Sequence, residues 1–125
     1  MRVRTGEMFL AKLEESRLFS PEQLDNLRSS TNEATTPEKI ATELLRREWL
    51  TRWQTRRLLE GETKFFLIGD KYRLLEIVGE GGMGEVYRAE NTRTGQIVAL
   101  KVLSPEAVDN PEAKARFQRE IRAIS

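Results

Sequence analysis

Four glycines in six positions, Gly79-Glu80-Gly81-Gly82-Met83-Gly84, form the first group whose types and spacing can do chemistry. Glycine allows positive φ and brings backbone N–H groups close to an anion, so such a run can wrap phosphate oxygens. The spacing G-x-G-x-x-G is ambiguous alone, because a dinucleotide site uses it to end a strand and open a helix. Here the Glu85-Val86-Tyr87-Arg88-Ala89 that follows is β-prone, which makes the glycines the tip of a hairpin. The bland alternative is a glycine-rich turn that binds nothing.

Lys101 is the second group. It lies in Ile97-Val98-Ala99-Leu100-Lys101-Val102-Leu103, where every neighbour is apolar. Strand alternation puts Ala99 and Lys101 on one face and Val98, Leu100 and Val102 on the other. An ammonium in such a run is costly unless it meets an anion. Glu120 is a candidate: it follows Phe117 and precedes Ile121 and Ile124, at the edge of a helical apolar stripe. That carboxylate and the ammonium would satisfy each other and leave lysine donors for a phosphate. A structural Lys–Glu pair without a ligand is the alternative.

The elements that must hold these groups can be read from the punctuation. Tyr72 to Val78, Glu85 to Glu90 and Gln96 to Leu103 are strand-like, and Asn91 to Gly95 is a turn. Together they predict a three-stranded antiparallel meander. Ser104-Pro105 caps a short helical turn and Asn110-Pro111 a longer helix, whose inner face carries Ala113, Phe117, Ile121 and Ile124. That stripe is still running at Ser125, which predicts an N-terminal piece of a longer design.

Residues 5 to 60 read as helices. Met8, Leu10, Leu13 and Leu18 suggest a first apolar stripe. Ser20-Pro21, Thr36-Pro37 and Thr51-Arg52 are helix starts, the first and third with Gln23 and Gln54 three residues on. Gly61 fits the position beyond the last helix. Leu13, Phe19, Ser20, Gln23 and Leu27 align with Leu44, Leu50, Thr51, Gln54 and Leu58, a degenerate repeat at an offset of 31 residues. The expected fold is α+β: a helical domain over 1–64, then a sheet with one helix over 65–125.

Composition excludes several classes. The 125 residues contain no cysteine and no histidine, which removes disulfide frameworks, thiol nucleophiles, His- or Cys-based zinc sites and any histidine base. A net charge of +1 gives no field pointing to nucleic acid. No apolar run approaches a membrane span, and Met1 to Glu7 lacks the apolar core of a secretory signal. The expectation is a cytoplasmic chain, without nucleic-acid or membrane partners in this segment and without a metal site of its own.

Residues 67 to 125 resemble the start of a bacterial, eukaryotic-like (Hanks-type) serine/threonine protein kinase domain. The resemblance rests on Val78 to Val86, on Val98-Ala99-Leu100-Lys101, and on Arg116-Phe117-Gln118-Arg119-Glu120-Ile121, in the order and spacing of the family's glycine-rich loop, lysine strand and C-helix glutamate. It implies a partial kinase N-lobe that binds ATP. Val78, Gly79, Glu80, Gly81, Gly82, Met83, Gly84, Glu85 and Val86 would form the phosphate loop and, with Ala99, the roof over adenine. Lys101 would hold the α- and β-phosphates and pair with Glu120. Many kinases carry an aromatic residue where Met83 stands.

The departures are large. There is no His-Arg-Asp, Asp-Phe-Gly or Ala-Pro-Glu element, so the base and the ligands of Mg²⁺ are absent from this sequence, and the 125 residues alone are expected to be inactive. Arg47 to Gly61 is faintly similar to the helical leader of planctomycete-type kinases. Trp49 and Trp53, at i and i+4, are expected in a small core. Arg46, Arg47, Arg52, Arg56 and Arg57 form a basic cluster, read as a solvated face with acids such as Glu43 and Glu60 nearby, or else as a site for an anionic partner. The competing overall reading is a non-catalytic interaction module with a remnant kinase-like lobe. Because the sequence stops at Ser125, the apolar flank of Val78, Val86, Ala99, Ile121 and Ile124 is expected to invite self-association or docking with the helical domain.

Overall fold

The computed structural model describes residues 2–64, 66–81, 83–103 and 111–112. Four helices come first: α1 (Gly6–Ser16), α2 (Pro21–Ser29), α3 (Pro37–Arg46) and α4 (Arg52–Leu59). Each starts where a hydroxyl can satisfy an orphan N–H. Thr5, Ser20, Thr36 and Thr51 hold extended backbone, and each accepts the N–H three residues on. At Ser20 and Thr51 the following glutamine completes a reciprocal box, its amide oxygen accepting the cap's own N–H at 2.9 Å. Buried Phe9, Leu13 and Leu27 of the first helix pair stand 31 residues before buried Ile40, Leu44 and Leu58 of the second.

The stripe of α1 differs from the expected one. It runs through the fully buried Phe9 and Leu13, with Gly6 and Ser16 on the same line, while Met8 and Leu10 are partly buried at its margins. Residues beside Phe9 in the chain lie roughly 100° to either side of it, so one of the two registers must lose. The register that won brings α1 close to the segment before α3. A Cβ at Gly6 would stand 2.2 Å from the Thr35 carbonyl oxygen, a gap only glycine leaves.

The tryptophans also part company. Glu48, with φ 59, ends α3, and Thr51 caps α4, so Trp49 lies in the turn and shares no helical face with Trp53. Trp49 packs on Phe19 with ring centroids 6.3 Å apart, under the Arg47 guanidinium. Trp53 points onto Phe66 and Tyr87 at 5.7 and 5.4 Å, both edge-on.

The sheet has four strands in the order β1-β2-β3-β4: β1 (Leu67–Ile68), β2 (Tyr72–Gly81), β3 (Gly84–Asn91) and β4 (Ile97–Leu103). All neighbours are antiparallel. The fold is therefore α+β, with one more strand than expected. Two residues are too few to show alternation, and β1 exists because Gly69 and Asp70, both at φ 57, turn the chain back onto β2. The helix expected around Phe117 and Ile121 falls outside the described residues. Among the described residues, no helix is long and apolar enough to cross a membrane.

Two apolar clusters meet at one side chain. The larger gathers the inner faces of the four helices with Phe66, and the smaller consists of buried Leu74, Tyr87 and Ala89 under Val98, Leu100 and Val102. Trp53 packs against both.

Candidate functional site

In an antiparallel pair, directly opposed residues share a face, so the register sorts the sheet's side chains. Gly79 is opposite Val86, and Val86 is opposite Lys101, a row across three strands. The next row on that face is Glu76, Arg88 and Ala99. Ile77, Tyr87 and Leu100 form the reverse face, toward Trp53. Two bulges in β2, at Leu75 and Val78, keep these faces in step. Val78 has no partner on β3 and is 58% exposed beside the row.

The glycine run is the tip of the β2–β3 hairpin. Glu80 opposes Glu85 and Gly81 opposes Gly84. Gly84, at φ +143, could carry no side chain, because a Cβ would lie 1.9 Å from the Val102 carbonyl oxygen. It lets β3 begin in contact with β4. At Gly81, by contrast, an added Cβ would meet nothing within 4 Å. Met83 is half-buried in the turn. Gly82 and Glu120 lie outside the described residues.

The side chains of Glu80 and Glu85 take the reverse face, where the Tyr87 hydroxyl donates to the Glu85 carboxylate. Burial, and next the hydrogen bond to Glu85, pushes the Tyr87 hydroxyl well above the usual phenol range. On the Lys101 face those two glutamates can offer only backbone.

That face combines half-buried Val86, exposed Ala99, the half-buried Lys101 and an open glycine hairpin. Small Ala99 leaves room for a flat apolar group next to the Arg88–Glu76 ion pair, and a lysine in one row with Val86 and Gly79 suits a chain of phosphates. Among the described residues, no group of three acidic, histidine or cysteine side chains could hold a metal ion.

The arginine cluster is partly neutralised from within. Glu43 accepts from Arg46 at 3.0 Å and from Arg47 at 2.7 Å, and these bonds, Arg46's first, hold its carboxyl down at about 2. Arg57 pairs with Glu62 and lies over the Trp53 ring.

One set of residues was visible in the sequence only as a helix cap. The Thr51 hydroxyl donates to the Leu75 carbonyl, and Gln54 Nε2 donates to the Leu74 carbonyl at 2.8 Å. Both still serve the start of α4, so their second use carries no local signal.

No protein-family profile matches the chain. Curated relatives do match part of it. Serine/threonine-protein kinase PknD of Mycobacterium tuberculosis is 57% identical over 49 residues, 39% of this chain and 7% of that protein. Serine/threonine-protein kinase A of Synechocystis sp. is 51% identical over 55 residues, 43% of this chain and 10% of the relative. Serine/threonine-protein kinase pkn3 of Myxococcus xanthus is 45% identical over 58 residues, 46% of this chain and 11% of its own length. The chain thus spans about a tenth or less of the relatives it matches. A loop, lysine and sheet of this geometry, with these relatives, make the chain similar, over roughly two-fifths of its length, to the N-terminal part of bacterial Hanks-type serine/threonine protein kinases.

Proposed function

We propose that this chain is the front of a protein serine/threonine kinase, with residues 1–64 a helical leader domain and residues 65–125 part of the kinase N-lobe. The observation that carries the reading is the row Gly79, Val86 and Lys101 on one face, at the base of a glycine hairpin. The backbone from Gly79 to Gly84 would lie over the ATP phosphates, and Lys101 would hold them. Val78, Val86 and Ala99 would cover the adenine. Glu120 would pair with Lys101 in the active arrangement. ATP supplies the phosphoryl group, and protein serine or threonine hydroxyls receive it, in the cytoplasm. Mg²⁺ is required, but the acidic ligands and the base that accepts the hydroxyl proton have no counterpart here, so these 125 residues alone transfer no phosphate.

The test is Lys101→Ala in the full-length protein. The expected result is loss of phosphoryl transfer by about a hundredfold or more, at unchanged thermal stability. Undiminished phosphorylation would remove the kinase assignment, because the substitution deletes the phosphate contact.

A further inference from the structure

Leu74 and Leu75, which receive Gln54 and Thr51, lie on the strand that ends in the glycine hairpin. In a regular strand, consecutive carbonyls point to opposite edges, but the bulge at Leu75 turns both toward α4. On that edge β1 has already ended, because its pairing with β2 stops at Arg73 and the Leu74 N–H to Phe66. The helix therefore replaces a missing neighbour strand. Gln54 is committed fully: 2% exposed, its oxygen accepts from the Thr51 N–H and its nitrogen donates to the sheet. Four residue steps along a single strand, about 13 Å, lead from Leu75 to Gly79.

Trp53 braces the same region from behind. It contacts Tyr87, the chain neighbour of Val86, and Tyr87 is opposed to Leu100, the neighbour of Lys101. Two attachments thus fix the strand leading into the loop and the underside of the Lys101 row.

We propose that the helical leader sets the working position of the glycine-rich loop, with Thr51, Gln54 and Trp53 as positioning residues for nucleotide binding. The proposal rests on the kinase reading for its ligand. Coupling of this kind is reciprocal: what the leader contributes to ATP binding, bound ATP returns as tighter seating of α4 on β2.

Gln54→Glu is the informative variant. It keeps the oxygen that completes the cap, and so the helix start, but replaces the donor facing Leu74 with a carboxylate oxygen. Thr51→Asp does the same at Leu75. Gln23→Glu and Ser20→Asp are matched controls, the same changes in a reciprocal cap that makes no bond to the sheet among the described residues, with Ser20 exposed and Gln23 half-buried. In the full-length protein, Gln54→Glu and Thr51→Asp should raise KM for ATP about fivefold to tenfold with kcat changed less than about twofold. Amide exchange across Gly79 to Val86 should quicken in both. The controls should leave KM and loop exchange unchanged. Unchanged loop exchange in Gln54→Glu, or an equal effect in Gln23→Glu, overturns the proposal whatever the enzyme does. Quickened loop exchange in a protein whose wild type neither binds ATP nor transfers phosphate overturns the kinase reading, and with it the assignment of the loop's ligand.

Discussion

Glycines that look alike in the hairpin do different work. At Gly84 a Cβ would collide with the Val102 carbonyl at 1.9 Å and the φ of +143 is one that side chains resist, whereas at Gly81 the space is open. Gly84→Ala is expected to destabilise the 125-residue chain by about 2 to 4 kcal/mol in urea unfolding. Gly81→Ala should cost under about 1 kcal/mol. If Gly81 is kept for the approach of phosphate, its alanine variant weakens ATP binding in the full-length protein at nearly native stability. Equal destabilisation by the two substitutions would contradict the geometry of the β3–β4 contact.

Elements in this chain are legible where their cause is local. The caps at Ser20, Thr36 and Thr51 are spelled within four residues, and the alternation from Ile97 to Leu103 sorts that strand's faces without outside help. What the sequence hides is set by distant partners. Met8 and Leu10 lose to Phe9 because of what α1 meets across the core, Trp49 belongs to a turn because Glu48 takes positive φ, and β1 exists only as β2's neighbour. The Lys101 face was readable; the latch of Thr51 and Gln54 on β2 was not, since both already had a role.

The α3 end offers a pH test of a local cause. Glu43 has a folded carboxyl near 2, against an ordinary 4.5, chiefly through the hydrogen bonds from Arg46 and then Arg47. A lowered folded pKa stabilises above the ordinary value and is lost as pH falls through about 2. Glu43→Gln should lower Tm by ~1–2 °C at pH 6, since Arg46 is exposed and Glu43 only half-buried, with the gap closing toward pH 2. A gap that stays constant to pH 2 would assign the effect to helix propensity instead.

For the molecule as a whole, the question is whether helices and sheet stand or fall together. The sheet's own cluster has three buried residues among those described, Leu74, Tyr87 and Ala89, too few to hold a twisted antiparallel sheet by themselves. Among the described residues, the support it receives from the helices comes from α4: the ring of Trp53, and the donors of Thr51 and Gln54 at the β2 edge. The helical cluster is larger and closes on itself, with the Val3 N–H bonded to the Leu59 carbonyl at 2.9 Å. Dependence should therefore run one way. Trp53→Ala removes a ring shared by both clusters and should lower the opening free energy of β2 and β3 amides by about 3 kcal/mol in native-state hydrogen exchange. Amides of α1 and α3 should lose less than about 1 kcal/mol, because Phe9, Leu13, Ile40 and Leu44 keep their contacts with one another. An equal loss in helices and sheet would mean one indivisible core. A loss confined to the helices would mean that the sheet supports the leader, reversing the direction of support argued from the burial of Leu74 and Tyr87.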